Sequence, residues 1–89
     1  MRLVVLFREK REYSRATNNW IEEYKRSSGR PGDVEVFDPD TPAGASLART
    51  YGIVDYPAVL VTMNDGSLMK GYSGMPLPTI SEIKGYMLM

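Results

Sequence analysis

The sequence predicts an α/β domain in which three helices flank a four-stranded mixed sheet, in the order β-α-β-α-β-β-α. The chain opens with an apolar run between two arginines, which is typical of a strand covered on both faces. Residues 51–61 read as a helix end, a proline loop and a short apolar strand in immediate succession. An Asn-Asp-Gly turn then separates two strand-like segments, which favours a hairpin. All 89 residues fit one domain, 1–89.

The first half of the chain fits a strand, a helix and a second strand. Residues 3–7 form the first predicted strand, and a helix is predicted over about residues 13–26. Apolar side chains recur along this helix at spacings of three and four: Tyr13, Ala16, Trp20, Ile21 and Tyr24. Serine, glycine and proline in residues 27–32 end it, and residues 33–37 alternate as a strand would. Such a succession forms a right-handed parallel unit.

The second helix is predicted from its turn and cap residues. Residues 38–42 read D-P-D-T-P, which places Asp40 or Thr41 at the N-cap and a proline at the first helical position. One face of the helix carries Gly44, Leu47, Ala48 and Tyr51. Gly52 suits the left-handed position just past the helix end. We expect Gly44 to weaken the helix locally, because glycine is a poor helix former.

The last part of the chain reads as a hairpin followed by a helix. Residues 58–63 and 67–72 are predicted to pair antiparallel around the turn at 64–66. A final helix of about ten residues should follow the prolines at 76 and 78. Thr79 and Glu82 have the spacing of a capping box at its start.

Charge and composition exclude several classes of function. The net charge is zero, which disfavours nucleic-acid binding driven by bulk charge. The charge is uneven, because residues 1–30 contain eight Lys or Arg against four Asp or Glu, whereas residues 31–89 contain three against seven. There is no cysteine and no histidine, so thiol chemistry, disulfides and the commonest metal ligand are missing. We expect the protein to use no cofactor and to bind no nucleic acid.

The sequence also predicts neither a membrane span nor a metal site. The apolar run after Arg2 is five residues long, which is too short for a signal sequence or a membrane span. We therefore expect a cytoplasmic protein without a membrane partner. We also expect it to be a monomer. Four acidic residues come close to the spacing of a calcium loop: Asp33, Glu35, Asp38 and Asp40. The glycine at the sharp turn and the final bidentate glutamate are missing, so we interpret these residues as turn and cap residues.

Several of these motifs together resemble the thioredoxin and glutaredoxin superfamily. They are the helix end L-A-R-T-Y-G, the loop I-V-D-Y-P, the D-G hairpin, the Y-S-G exit and the proline-led last helix. The resemblance covers nearly the whole chain. It implies a thioredoxin-like fold and a cis peptide bond between Tyr56 and Pro57.

The resemblance also marks where the redox centre of the superfamily would lie. Aligning the tryptophan-bearing helix places the C-x-x-C or C-x-x-S motif, to within one residue, at Arg11, Glu12, Tyr13 and Ser14. Arg11 then stands where the nucleophilic cysteine would be, and Ser14 where the resolving cysteine or the monothiol serine would be. A serine hydroxyl without an activating base cannot replace a thiolate. Thiol-disulfide exchange is therefore excluded, and the sequence marks no catalytic residue.

A basic cluster at the start of the first helix leaves two interpretations open. Its members are Arg8, Lys10, Arg11 and Arg15. They could hold an anion near the helix N-terminus, and the resemblance implies glutathione as one candidate, gripped by Arg8 and the backbone at Tyr56. The glycine-aspartate pair that meets glutathione in glutaredoxins is missing around Gly74 and Met75. In the other interpretation, Glu9 and Glu12 pair with the cations and the face is only solvated.

The loop before Pro57 also has a structural and a functional interpretation. A cis bond would shape the start of the central strand, and the superfamily pairs the backbone at this point with extended peptides. The leading hypothesis is a redox-inactive module that binds a peptide or protein with the face formed by residues 8–15, Tyr56, Pro57, Gly74 and Met75. The second is a binder of glutathione or a small anion, or a non-thiol enzyme, that uses the basic cluster. The third is a purely structural domain.

Overall fold

A computed structural model of the chain describes residues 1–28 and 34–87. Its elements are β1 (Arg2–Leu6), α1 (Ser14–Ser28), β2 (Val34–Phe37), α2 (Pro42–Tyr51), β3 (Ala58–Thr62), β4 (Leu68–Ser73) and α3 (Ile80–Met87). The predicted fold class and element order are confirmed, and the described bounds fall within two residues of the predicted ones. The predicted turn at 29–32 and the predicted start of the second strand at Asp33 lie outside the described residues.

The four strands form one mixed sheet in the order β2-β1-β3-β4. β1 runs parallel to β2 and antiparallel to β3, and β3 runs antiparallel to β4. Leu6 at the end of β1 pairs with Phe37 on one side and with Ala58 on the other. The residues that follow β1 and β2 and those that precede β3 therefore meet at one edge of the sheet, which we call the carboxyl edge of β1.

Alternate residues of the central strands build two core clusters, one on each face of the sheet. Leu3, Val5 and Phe7 belong to the cluster that includes buried residues of α1 and α3. Val4 and Leu6 belong to the second cluster, against which residues of α2 pack. β1 and β3 are buried on both faces because helices cover both sides, as their uninterrupted apolar sequences predict.

The buried stripe of α1 differs from the predicted one at two adjacent positions. Trp20, Ile21 and Tyr24 are buried as predicted, but Ala16 is exposed and Thr17 is 0% exposed. At 100° per residue, Thr17 lies nearer than Ala16 to the centre of the stripe. The Thr17 hydroxyl donates a 2.8 Å hydrogen bond to the carbonyl of Tyr13, so its burial leaves no polar group unpaired.

Gly44 has a role that helix propensity does not reveal. It is buried in the first turn of α2, and a Cβ there would lie 1.9 Å from the carbonyl oxygen of Asp38. The expectation that Gly44 weakens the helix is therefore incomplete, because the close approach of the preceding turn requires glycine. The N-cap is Thr41, whose hydroxyl accepts a 3.1 Å hydrogen bond from the Gly44 amide.

The ends of α2 and α3 are shaped as the sequence indicates. Gly52 ends α2 in the left-handed conformation, with φ of 67°. Thr79 caps α3, because its hydroxyl accepts a 3.1 Å bond from the Glu82 amide and donates one of 3.2 Å to the Glu82 carboxylate. Within residues 1–28 and 34–87, no helix combines the length and apolar character that a membrane crossing would need.

Candidate functional site

Three segments converge at the carboxyl edge of β1 and form the candidate site. The first is the segment from Arg8 to the start of α1, and the second is the loop before β3. The third follows β4 and joins the second through a 2.9 Å hydrogen bond from the Gly74 amide to the Pro57 carbonyl. The sheet brings the first two together because Leu6 and Ala58 are paired.

Arg8 connects three parts of this site. Its amide lies 3.3 Å from the Tyr13 hydroxyl and donates a hydrogen bond to it. Its Nε donates a 3.0 Å bond to a carboxylate oxygen of Asp40, just before α2. Its guanidinium carbon lies 4.8 Å from the centre of the Tyr56 ring, within cation–π distance. Arg8 and Tyr56, both expected at the site, are therefore in direct contact, and Arg8 is already engaged by protein groups.

Asp40 is a site residue that the sequence reasoning did not identify. The hydrogen bond from Arg8 lowers the pKa of the Asp40 carboxyl, and the nearby charges of Arg8 and Arg11 lower it further. The same hydrogen bond raises the pKa of Arg8. The sequence contained one indication of the contact between Arg8 and Asp40. Asp40 follows β2 as Arg8 follows β1, and the carboxyl ends of neighbouring parallel strands lie at the same edge of a sheet.

The remaining members of the basic cluster are solvent-exposed. In the described part of the chain, Lys10, Arg11 and Arg15 take part in no ion pair. The interpretation that Glu9 and Glu12 neutralise the cluster is wrong, since the carboxylate that pairs with a cluster arginine is Asp40. Glu9 instead accepts hydrogen bonds of 3.5 and 3.4 Å from the side-chain amide of Asn18.

The residues expected to align with the redox motif, Arg11 to Ser14, form a tight turn into α1. The amide and the hydroxyl of Ser14 both donate to the carbonyl of Arg11, at 3.1 and 2.8 Å. Glu12 is exposed, and Tyr13 is half-buried against the first core cluster. Lys10 enters this turn with φ of 62°. The Ser14 hydroxyl is occupied by a main-chain acceptor, which fits a structural role better than a nucleophilic one.

The loop before β3 presents unpaired backbone groups. The peptide bond between Tyr56 and Pro57 is cis, and Pro57 is fully buried. Within residues 1–28 and 34–87, neither the N–H nor the C=O of Tyr56 makes a hydrogen bond. The buried ring of Pro57 anchors the end of this loop at the edge of the sheet.

Two exposed apolar side chains lie in the two loops that meet at this position. Val54 is 83% exposed, and Met75, next to Gly74, is 54% exposed. A Cβ built on Gly74, whose φ is 76°, would lie 4.0 Å from the Asp55 Cβ, which shows how closely the two loops approach. Met75 was predicted as a site residue, and its bond to Pro76 is also cis. Val54 was not predicted, because one valine in a short loop carries no distinguishing pattern.

Tyr72, near the end of β4, lies on the other face of the sheet from Tyr56, because it packs against the first core cluster and Tyr56 packs against the second. Its hydroxyl donates a 3.2 Å hydrogen bond to Glu82 on α3. No group of three or more His, Cys, Asp or Glu side chains in the described ranges is arranged to hold a metal ion. Asp38 accepts a 2.8 Å bond from the Asp40 amide, as expected of a turn residue.

The sheet order, the three helices and the arrangement of the loops define a thioredoxin-like fold. The chain is similar to the solved structure of thioredoxin 1 from the thermophilic eubacterium Thermosipho africanus TCF52B, with a TM-score of 0.70 and 18% sequence identity. The match covers 99% of this chain and 96% of that one. No family model matches the sequence. No curated protein matches it either. At this level of identity, the likeness shows the fold.

Proposed function

We propose that this chain is a redox-inactive thioredoxin-like domain that binds an extended segment of a peptide or protein partner at the carboxyl edge of β1. One observation carries the proposal: the N–H and C=O of Tyr56 make no hydrogen bond in the described part of the chain, and this loop and the adjoining one carry exposed apolar side chains. An extended partner can take both backbone groups, as in strand addition. The Arg8 segment and the Gly74 loop border the same position.

The apolar side chains would supply contact area that hydrogen bonds alone do not provide. Val54 and Met75 are the most exposed large hydrophobic residues of the described chain. Burying apolar surface stabilises a complex by about 25 cal/mol per Å² before the costs of association. Methionine adapts to different partner surfaces, because its side chain is flexible and polarisable. The face therefore suits recognition of an extended backbone with moderate selectivity for side chains.

The redox-inactive part of the proposal is supported by the residues that the chain contains. There is no cysteine in the sequence, and the positions aligned with the redox motif hold Arg11 and Ser14. The Ser14 hydroxyl donates to a backbone carbonyl, and no histidine exists to activate it. We expect the protein to show no activity in an insulin-reduction assay, and turnover above the uncatalysed rate would contradict the redox-inactive part of the proposal.

Peptide binding is tested by a titration of the ¹⁵N-labelled protein with short peptides of randomised sequence. The amide signals of Tyr56, Gly74 and Met75 should shift together. Met75→Asp should weaken the response by placing a charge on the apolar part of the face. Met63→Asp is the matched control, since Met63 is 42% exposed next to the hairpin turn at the opposite end of β3. Shifts confined to other surfaces, or none, would overturn the proposal.

A second candidate function is supported by the exposed basic side chains at the start of α1. Lys10, Arg11 and Arg15 are exposed and form no ion pair within the described ranges, so a small anion such as phosphate or glutathione has cationic partners near the start of α1. Shifts at Arg11 and Ser14 with phosphate or glutathione, without shifts with peptides, would favour an anion-binding protein or a non-thiol enzyme over the peptide module. Absence of any response would leave the structural domain as the remaining hypothesis.

A further inference from the structure

We propose that Arg8 is a positioning residue that holds the ring of Tyr56, and through it the unpaired backbone of Tyr56, in the orientation that receives a partner strand. The part of this inference that concerns binding rests on the proposed function. The part that concerns the free protein does not, because the orientation of Tyr56 can be measured without a partner. Arg8 would act through Tyr56 rather than by contact with the partner.

Two hydrogen bonds fix the main chain that leads into Arg8. The preceding residue, Phe7, is 3% exposed and its amide donates a 3.2 Å hydrogen bond to the Phe37 carbonyl beyond the end of β1. The Arg8 amide is bonded to the hydroxyl of Tyr13, whose own ring packs against the first core cluster. The side chain of Arg8 therefore departs from a defined point at the edge of the sheet.

The guanidinium is also fixed, through Asp40. The carboxylate of Asp40 accepts from the Arg8 Nε at 3.0 Å. The backbone of Asp40 is itself held by a 2.8 Å bond from its amide to the Asp38 carboxylate, one residue before the N-cap of α2. Because a guanidinium is planar, fixing one of its nitrogens restricts the plane that lies against the Tyr56 ring. The Arg8 side chain is only 29% exposed in this pair.

Apart from Arg8, few contacts orient the side of Tyr56 that faces away from the core. Its ring packs against the second core cluster, and in the described chain neither its hydroxyl nor its backbone makes a hydrogen bond. The Arg8 guanidinium, 4.8 Å from the ring centre, is the charged group on that ring. Loss of this contact should let the ring and the adjoining peptide unit sample other orientations, while Pro57 and the core beneath remain in place.

The experiment compares Arg8→Met with Arg2→Met in the full chain. Arg2 pairs with Glu35 through the same kind of arginine–carboxylate contact at the opposite end of β1, so it controls for loss of an exposed ion pair. Two measurements are made: the nuclear Overhauser contacts and amide signal of Tyr56 in the free protein, and the dissociation constant of a randomised peptide pool. Thermal unfolding of each variant is recorded to separate positioning from stability.

Arg8→Met should change the Tyr56 amide signal and weaken peptide binding by about tenfold, the effect of losing a partly desolvated cation–π contact. Arg2→Met should leave both unchanged at a similar unfolding temperature. Asp40→Asn should weaken peptide binding as Arg8→Met does. The double variant should bind the peptides no more weakly than Arg8→Met, because the two residues act as a unit. Arg8→Lys should recover part of the loss by keeping a cation over the ring.

Two results would overturn the inference. One is a Tyr56 signal in Arg8→Met that matches that of Arg2→Met. The other is additive losses in the Arg8 and Asp40 variants. If the unmutated protein binds no peptide, the proposed function fails, but the signal of Tyr56 in the free variants still decides whether Arg8 positions it.

Discussion

At the scale of single residues, the glycines of α2 and α3 show how the same amino acid can have opposite consequences. A Cβ at Gly44 would lie 1.9 Å from the carbonyl oxygen of Asp38, whereas one at Gly85 would meet nothing within 4 Å. Both residues lie inside helices, where glycine has an entropic cost relative to alanine. Only the packing around each position distinguishes them.

We therefore predict that Gly44→Ala lowers the free energy of unfolding by about 3 kcal/mol, because backbone must move to relieve the contact. Gly85→Ala should raise it by about 0.8 kcal/mol through helix propensity alone. Chemical denaturation of the two variants measures both changes. Stabilisation by Gly44→Ala would contradict the close approach of the turn at Asp38.

The turn from Arg11 to Ser14 permits a second prediction about residues. The 3.1 Å bond from the Ser14 amide to the Arg11 carbonyl closes the turn, which brings the two Cα atoms to within about 7 Å, the range in which a disulfide can form. The Arg11→Cys, Ser14→Cys double variant should oxidise to an intramolecular disulfide, detected as a loss of free thiols. Glu12→Cys with Arg15→Cys is the control for register, because it has the same spacing shifted by one residue, and preferential oxidation of that pair would shift the alignment with the redox motif by one residue.

At the scale of elements, α2 is attached to its surroundings at both ends. Thr41 caps its start, and the hydroxyl of Tyr51 at its end donates a hydrogen bond to the carbonyl of Gly66 in the hairpin turn. Gly66 is itself tied to Met63 by a 2.9 Å backbone bond. The end of α2 and the tip of the β3–β4 hairpin are thereby joined directly.

Tyr51→Phe should lower the free energy of unfolding by about 1 kcal/mol, the typical contribution of one hydrogen bond. It should also speed hydrogen exchange of the Gly66 amide, because the turn loses its contact with α2. Tyr56→Phe is a suitable control, since the Tyr56 hydroxyl makes no hydrogen bond within residues 1–28 and 34–87. Equal exchange rates at Gly66 in the two variants would argue against the contact.

At the scale of the whole molecule, long-range side-chain contacts join α3 to the rest of the domain. The buried indole N–H of Trp20 donates a 2.8 Å bond to the Pro78 carbonyl, which fixes the segment before α3 against α1. The hydroxyl of Tyr72 on β4 donates to Glu82 on α3. Burial raises the pKa of Tyr72 to about 12, and the hydrogen bond to Glu82 contributes to the same shift.

This pKa predicts how stability changes in alkali. The folded protein favours the neutral hydroxyl of Tyr72, whereas the unfolded chain ionises it near its ordinary pKa of about 10. Its contribution is therefore complete below about pH 10 and is lost as the pH rises toward about 12. Urea denaturation across this range should show a steeper decline for the unmutated protein than for Tyr72→Phe. Parallel declines would show that Tyr72 ionises equally in both states.

The sequence alone determined the succession of elements, the two-sided burial of β1 and β3 and the caps of α2 and α3. Most of these features are encoded locally, by hydrophobic spacing and by turn and cap residues a few positions apart. The tertiary structure decided that Asp40, 32 positions from Arg8, is its partner, that Gly44 is sterically required, and that Val54 is exposed in the loop before β3. These features depend on which surfaces meet when the helices close over the sheet, and spacing along the chain does not specify those distances.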